Sequence, residues 1–312
     1  MYIRKYTHKI IVNPWLGVPS QEIQISTKKD SLKNSINYQA NNRILVGVDF
    51  SYRNLSISLG IPTRIYANNS HLFGKSKLGA FSMRFTYRKW AFEGRYSKNI
   101  GFAAFNSDNK PTDSSFFFRK DLRIRTAKIS AIYTFNAHKF SYGASFNYAY
   151  RQLKSAWSPI ITTQLYSTRF SGEFPLIDST FLTPHHPPLP YNNCNIYALG
   201  VAPGISGTYI FHKRFFLTGI FSLGVDGQIN NIRSRTQQKE NKLSSTYFYD
   251  FRFAVGYNTN RIFSAITFKG HNILMNLNQY KLENNISVFT IELGYRLDTP
   301  KWVKKTYDKM SI

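Results

Sequence analysis

Residues 140–150 read Phe140-Ser-Tyr-Gly-Ala-Ser-Phe-Asn-Tyr-Ala-Tyr150. Phe140, Tyr142, Ala144, Phe146, Tyr148 and Tyr150 fall on one side of an extended chain. Ser141, Gly143, Ser145, Asn147, Ala149 and Arg151 fall on the other. Side chains of a strand point alternately to its two faces, so the spacing predicts a strand over 139–152 with one apolar and one polar face. The same two-residue beat recurs from Arg43 to Leu297. It places Val46, Val48 and Phe50 on one face of 42–52, and Leu55, Ile57, Leu59 and Ile61 on one face of 54–62. It sets Phe81, Met83 and Phe85 in 77–87, Trp90, Phe92 and Tyr96 in 89–104, and Ile129, Tyr133 and Phe135 in 121–135. Farther on it marks Leu199, Val201 and Ile205 in 195–211, Phe221 and Leu223 in 215–230, Tyr247 to Tyr257 in 244–258, and Phe289, Ile291 and Leu293 in 285–297. Strand 260–270 is apolar on both faces, which predicts burial. Many strands of this length with almost no helix read as an all-β chain, a transmembrane antiparallel up-and-down β-barrel.

Composition narrows the class. Aromatic residues make up 16% of the 312 residues, which favours strands and interfacial girdles. No run of about 18 apolar residues exists, so a bundle of membrane helices is excluded. The net charge is +25. Its basic residues are scattered through turns and loops, which fits attraction to anionic lipid head groups or lipopolysaccharide phosphate. Nucleic acid has charge as its only support and is not the expected partner. The one cysteine, Cys194, rules out an internal disulfide. No apolar segment follows the charged start Met1-Tyr-Ile-Arg-Lys-Tyr6, so no signal peptide is read in the chain.

The connections alternate. Tight ones fall at Arg53-Asn54, Arg88-Lys89, 136–139, 212–214 and 258–260; longer ones fall at 63–76, 104–120, 231–243 and 271–284. Short periplasmic turns and long outer loops alternate in this way in bacterial barrels. With 6–16 as a first ascending strand, parity gives an even number, about twelve, within a range of ten to fourteen. This count treats 153–194 as one outer excursion carrying the stiff Pro184–Pro190 piece. Fourteen strands would recruit 20–28 or 157–171.

Candidate functional residues are the charges that alternation turns inward: Asp49, Arg84, Glu93, Arg95, Lys128, Arg151, Asp226, Asp250, Arg252, Glu292 and Arg296. In a barrel of intermediate size they either pair and close the lumen or line a narrow pore. A hydrolase needs a serine beside a histidine. None of His8, His71, His138, His185, His186, His212 and His271 lies on an inward strand face beside a serine, and G-x-S-x-G is absent. His185, His186 and Cys194 do not compose a metal site, since adjacent residues of an extended chain point apart. Gly200-Val-Ala-Pro-Gly204 marks close packing in a strand rather than a phosphate loop. Trp15, Trp90, Trp157 and Trp302 fit interfacial belts. No catalytic residue, cofactor or metal is expected.

Several pieces carry a resemblance: Tyr2-Ile-Arg-Lys-Tyr6, Gly47 to Gly60, Gly74-Lys-Ser-Lys77, Tyr133-Thr-Phe-Asn136 with Lys139-Phe-Ser-Tyr142, Arg151-Gln-Leu-Lys-Ser155, Phe215-Phe-Leu-Thr218, Gly256-Tyr-Asn258 and Gly294-Tyr-Arg296. On them the chain resembles a family of Bacteroidota outer-membrane barrels described as a domain of unknown function. The resemblance implies an outer-membrane barrel over 1–297 and no assigned activity. Residues 298–312 add a basic tail where barrel chains commonly stop at a terminal aromatic. The expected role is a narrow transporter or a structural partner in a cell-envelope complex in the bacterial outer membrane. A membrane-embedded enzyme acting on lipid or lipopolysaccharide is the alternative, and a soluble basic β protein binding nucleic acid is the third reading. Expected partners are outer-membrane lipid, lipopolysaccharide and other envelope proteins.

Overall fold

Long alternating segments become long strands. The structure, a computed structural model, describes residues 1–27, 35–106, 117–176, 191–234, 239–277 and 280–309. In chain order the elements are β1 (Ile3–Lys5), β2 (Lys9–Thr27), β3 (Ser35–Gln39), β4 (Arg43–Tyr52), β5 (Leu55–Tyr66), the helical turn α1 (Ser70–Phe73), β6 (Lys77–Tyr87), β7 (Trp90–Asn106) and β8 (Phe117–Thr134). There follow the helical turn α2 (Gly143–Phe146), β9 (Tyr150–Gln152), β10 (Ala156–Ser171), β11 (Tyr191–Phe211), β12 (Phe215–Ser234), β13 (Lys239–Asn258), β14 (Ile262–Leu277), β15 (Tyr280–Asp298) and the helix α3 (Lys301–Lys309). No described helix is long and apolar enough to cross a membrane.

All strands but β1 and β9 join one antiparallel sheet of thirteen, and β15 pairs with β2 to close it. β3 and β4 both pair with β2, at Glu22–Ser26 and Ile10–Gly17 respectively. They are two pieces of one descending pass, broken at the buried residues Ala40, Asn41 and Asn42. The ring is therefore an up-and-down barrel of twelve passes, the even number that parity predicts.

The outer face is apolar where alternation places it. Leu199, Val201, Phe221, Leu223, Ile291 and Leu293 are all exposed. On β10 this band runs from Trp157 to Leu165, about the nine residues a tilted strand needs to cross hydrocarbon. Aromatic rings girdle the barrel at the tight-turn end. Trp90 meets Tyr133 edge-on with centroids 4.9 Å apart, and Phe215 meets Tyr257 at 5.2 Å. Arg53, Arg88 and Lys89 lie over the rings of Tyr52, Tyr87 and Tyr133, the mixture of aromatic and basic groups that a head-group layer favours.

Polarity inverts farther along the longer strands. On β10, Thr162 and Gln164 point inward at the level of the apolar band, whereas Tyr166 and Phe170 point inward above it and Arg169 points out. Above the band the barrel is packed like a water-soluble protein, with a core built from Ile25, Tyr38, Phe102, Ile124, Ile196 and Leu282 among others.

Four expectations need correction. Residues 139–152 are not a wall strand. They leave β8, enter the barrel and are buried on both faces, from Phe140 to Ala149. Tyr148 has φ +56°, which no strand residue adopts. The wall position is taken instead by 157–171 as β10, so 153–194 is not one outer excursion. The two exchanges leave the strand number unchanged. Residues 20–27 belong to β2, which removes the fourteen-strand alternative. Most of 231–243 and 271–284 is strand, since the β12–β13 and β14–β15 ladders run on to Arg233↔Lys239 and Leu277↔Tyr280. Pro184–Pro190 lies outside the described residues.

Candidate functional site in the barrel lumen

The inserted segment fills the turn end of the lumen. β9 pairs with β1, so the N-terminal residues hold the insert across the barrel mouth. Phe140, Tyr142, Phe146 and Tyr148 form one apolar cluster with Ile132, Phe216, Ile220 and Phe263 of the wall. Tyr148 stacks on Phe263 with centroids 3.9 Å apart. This explains why 260–270 is apolar on both faces. Ile262, Ile266 and Phe268 face outward, while Phe263 and Ala265 face the insert.

Polar contacts pin the insert around the ring. Ser145 Oγ lies 2.6 Å from Thr218 Oγ1, Asn147 Nδ2 donates to Thr86 Oγ1 at 3.0 Å, and Asn258 Nδ2 donates to Ala144 O at 3.4 Å. Arg296, fully buried, donates from Nε and Nη2 to Tyr148 O at 3.1 and 3.0 Å, to Asn258 Oδ1 at 2.9 Å and to Thr259 O at 2.6 Å. Its guanidinium lies between the rings of Tyr6 and Phe263.

Above the insert lies a charged layer. Glu93 accepts Arg252 at 2.8 Å and Tyr142 Oη at 2.6 Å. Arg252 also reaches Asp250 at 2.8 Å, and Lys128 reaches the other oxygen of that carboxylate at 3.2 Å. Arg84 bridges Asp49 and Glu93, 3.6 Å from each, and donates to Phe146 O of the insert. Glu292 accepts from Asn13 at 2.5 Å. Burial holds the phenol of Tyr142, on the insert, well above the ordinary tyrosine value. It therefore remains a donor to Glu93.

Nine of the eleven predicted charges share the lumen interior with the insert, though not as one network. Asp49, Arg84, Glu93, Arg95, Lys128, Asp250, Arg252 and Glu292 occupy the middle layer, and Arg296 locks the insert below it. Asp226 stands apart near the outer core. It accepts from Tyr166 Oη at 3.0 Å, Gln228 Nε2 at 2.9 Å and Thr246 Oγ1 at 2.6 Å, with no cation within ion-pair reach among the described residues. Arg151 is a correction. It sits on β9 at the barrel mouth, donating to Asn260 Oδ1 and Lys213 O, because its segment is the insert and not a wall strand.

Two members of the layer escaped the sequence reading: Lys269, and His271, 3.6 Å from Asp250. Both continue the inward parity of Phe263, Ala265 and Thr267, a signal hidden by a strand apolar on both faces. Trp15 is also inward rather than in a belt. Its Nε1 donates to Asp49 Oδ1 at 2.7 Å, and its ring lies where a Cβ on Gly47 would come within 2.2 Å. Glycine at that position therefore makes room for the indole. Among the described residues no cluster of His, Cys, Asp or Glu has the makings of a metal site. His185 and His186 lie outside those residues.

At the turn end the insert forms the floor of an open bowl of about 1300 Å³, with Lys5, Arg53, Arg88, Lys89 and Lys304 in its lining and Asp298 the one carboxylate there.

Among solved structures, the outer membrane protease OmpT of Escherichia coli is similar over 94% of this chain and 98% of its own, at 10% identity and a TM-score of 0.41. The beta domain of the Bordetella autotransporter BrkA is similar over 92% and 99%, at 7% identity and a TM-score of 0.39. The outer membrane protein OprG of Pseudomonas aeruginosa is similar over 95% and 98%, at 9% identity and a TM-score of 0.26. No curated protein matches the chain. Residues 1–297, nearly the whole sequence and the entire barrel, match one family, and the chain belongs to it: the family described as a domain of unknown function (DUF4421).

Proposed function

We propose that the protein resides in the bacterial outer membrane as a barrel closed to aqueous solutes and serves as the membrane-embedded partner of a cell-envelope assembly. The observation that carries this reading is the insert 139–152, which fills the lumen between the ring of wall contacts at Thr86, Thr218, Asn258 and Phe263. A conducting pore needs a continuous water path. Here an apolar plug, a buried charge layer and an outer apolar core succeed one another along the axis. By the rule that barrel turns are short on the periplasmic side, the basic bowl faces the periplasm. Its charge suits an acidic surface on the partner.

Two measurements test this. Planar bilayers carrying the refolded barrel should show no conductance steps. Replacing Arg53, Arg88 and Lys89 with glutamate should strip a stoichiometric partner that co-purifies with the parent protein from native membranes. Steady conductance by the parent, or a partner indifferent to the charge reversal, would overturn the proposal.

A further inference from the structure

The wall has a gap. β4 and β5 pair up to Arg43↔Tyr66, and β6 and β7 pair up to Lys77↔Ile100. Between them the β5–β6 ladder stops at Ser58↔Ser82. Residues 59–66 and 77–81 are thus two strand edges that face each other without a ladder. The gap is framed above as well as below. Ala67 N donates to Asn42 O at 3.0 Å and Ser76 N to Asn41 O at 3.1 Å, while Ser76 Oγ donates to Gly101 O at 2.7 Å. The Asn41 side chain donates to Gly74 O at 2.9 Å and accepts from Asn68 N at 2.9 Å. The connection 67–76 is therefore fastened to the break between β3 and β4.

Alternation turns Pro62 and Ala80 toward the lumen, yet both are exposed. The outward neighbours Leu59, Ile61, Ile65, Phe81 and Met83 are exposed and apolar, at the level of the lipid-facing band. Unpaired strand edges are costly in hydrocarbon, where each orphan backbone group forfeits several kcal/mol. A wall left open at this depth calls for a polar or amphiphilic occupant.

The charges behind the gap give its chemistry. A cavity of about 110 Å³ has Gly60, Leu78 and Ala80 at its rim, with three cations, Arg84, Arg95 and Lys269, and two carboxylates, Asp49 and Glu292, on its inner side. A second cavity, of about 80 Å³, shares those three cations. The first is room for roughly three or four water volumes, the scale of a small oxyanion. The four carboxylates of the layer are all engaged: Asp49 by Trp15 and Arg84, Glu93 by Arg252 and Tyr142, Asp250 by Lys128 and Arg252, Glu292 by Asn13. Arg95 and Lys269 are left with no ion pair or hydrogen bond among the described residues, and Lys269 Nζ lies over the Phe146 ring at 5.3 Å. With Lys269 counted, five cations (Arg84, Arg95, Lys128, Arg252, Lys269) face four carboxylates in the layer, and an excess positive charge in a low-dielectric lumen attracts an anion.

We propose that the β5–β6 gap is a lateral window that admits one membrane amphiphile with a phosphate or carboxylate head group, the head bound by Arg95 and Lys269 with Arg84 behind them and the acyl chain lying outward over Leu59, Ile61 and Phe81. The inference rests on the membrane-spanning part of the proposed function and is independent of the partner at the bowl.

The test is native mass spectrometry of the protein released from lipid nanodiscs of phosphatidylcholine with a minor fraction of phosphatidylglycerol. The parent should retain one phosphatidylglycerol per chain in preference to phosphatidylcholine. The R95Q/K269Q double variant should retain at least tenfold less. Since neither cation makes a hydrogen bond or a close ion pair among the described residues, this variant should fold nearly as well as the parent. A80W, which fills the rim and leaves both cations in place, should abolish retention as well. Inorganic phosphate alone should bind weakly to the parent. Equal retention of the two lipids, retention unchanged in R95Q/K269Q or A80W, or phosphate binding as tight as the lipid would each overturn the window. Heat-modifiable migration separates the failures: its loss in the parent would count against membrane residence itself, whereas its presence without lipid retention would sink only this inference.

Discussion

Replacing Arg296 with alanine should unlock the insert without unfolding the wall. The guanidinium donates twice to Tyr148 O, at 3.1 and 3.0 Å, and rests between the Tyr6 and Phe263 rings. A hydrogen bond to a charged group contributes about 1.5–3 kcal/mol. Counting the pair on one carbonyl as slightly more than one bond gives about 3 kcal/mol of insert docking. Since every 1.4 kcal/mol is tenfold, the undocked population should rise about 100-fold. An A144C substitution provides the readout, since Ala144 is buried on the insert and the one native thiol, Cys194, is fully buried in the outer core. When closing is fast, the rate of maleimide labelling follows the open population. The R296A/A144C protein in vesicles should therefore label about 100-fold faster than A144C alone, with heat-modifiable migration retained. Labelling within about threefold of the A144C parent would mean that Arg296 does not hold the insert.

Three further outcomes follow from the same geometry. I161R, in the centre of the β10 band, should cost about 2–4 kcal/mol in urea-dependent folding into vesicles, and S167R, at its upper margin, about 1 or less; equal costs would argue against lipid at that depth. E93Q leaves Arg252 and Arg84 short of a counter-charge and should cost about 3 kcal/mol by the same assay; a neutral result would make the layer a loose solvated cluster. G47A drives a methyl group into the Trp15 ring and the backbone of Leu59 and should cost about 1–3 kcal/mol, with a shift in tryptophan emission; an unchanged spectrum and stability would contradict the packing of the indole.

The wall was largely legible because lipid imposes a simple rule. Leu199, Val201 and Ile205 must be apolar when hydrocarbon bathes them, and Ser206, Thr208 and Thr218 then mark the inside. The insert was not legible for a related reason. Alternation reports that a segment has two kinds of neighbour, not that one of them is lipid. In 140–150 the aromatic side chains meet the apolar wall residues, while Ser145 and Asn147 meet Thr218 and Thr86, so the pattern of a wall strand arises in a segment that never touches the membrane. The reverse error hid β10. Among its lower inward residues Ser158, Thr162 and Gln164 are polar, whereas Tyr166 and Phe170 above them are apolar, so the inversion above the membrane broke the expected face. The inward charges were found wherever the opposite face was clearly apolar. Lys269 and His271 were missed because Phe263 and Ala265, which pack on the insert, blurred the parity of β14. The window was invisible to any reading of single strands, since it is a property of where a ladder stops.

The locking contacts draw on both ends of the chain. Tyr6 and β1 come from the start, Arg296 from the final wall strand, and the segment they clasp from the middle. During biogenesis the latch is incomplete until the terminal seam, β2 against β15, has zipped. A protease-resistant insert would then report a finished cylinder, and a chain stalled before its last hairpin would leave its middle open to quality-control enzymes.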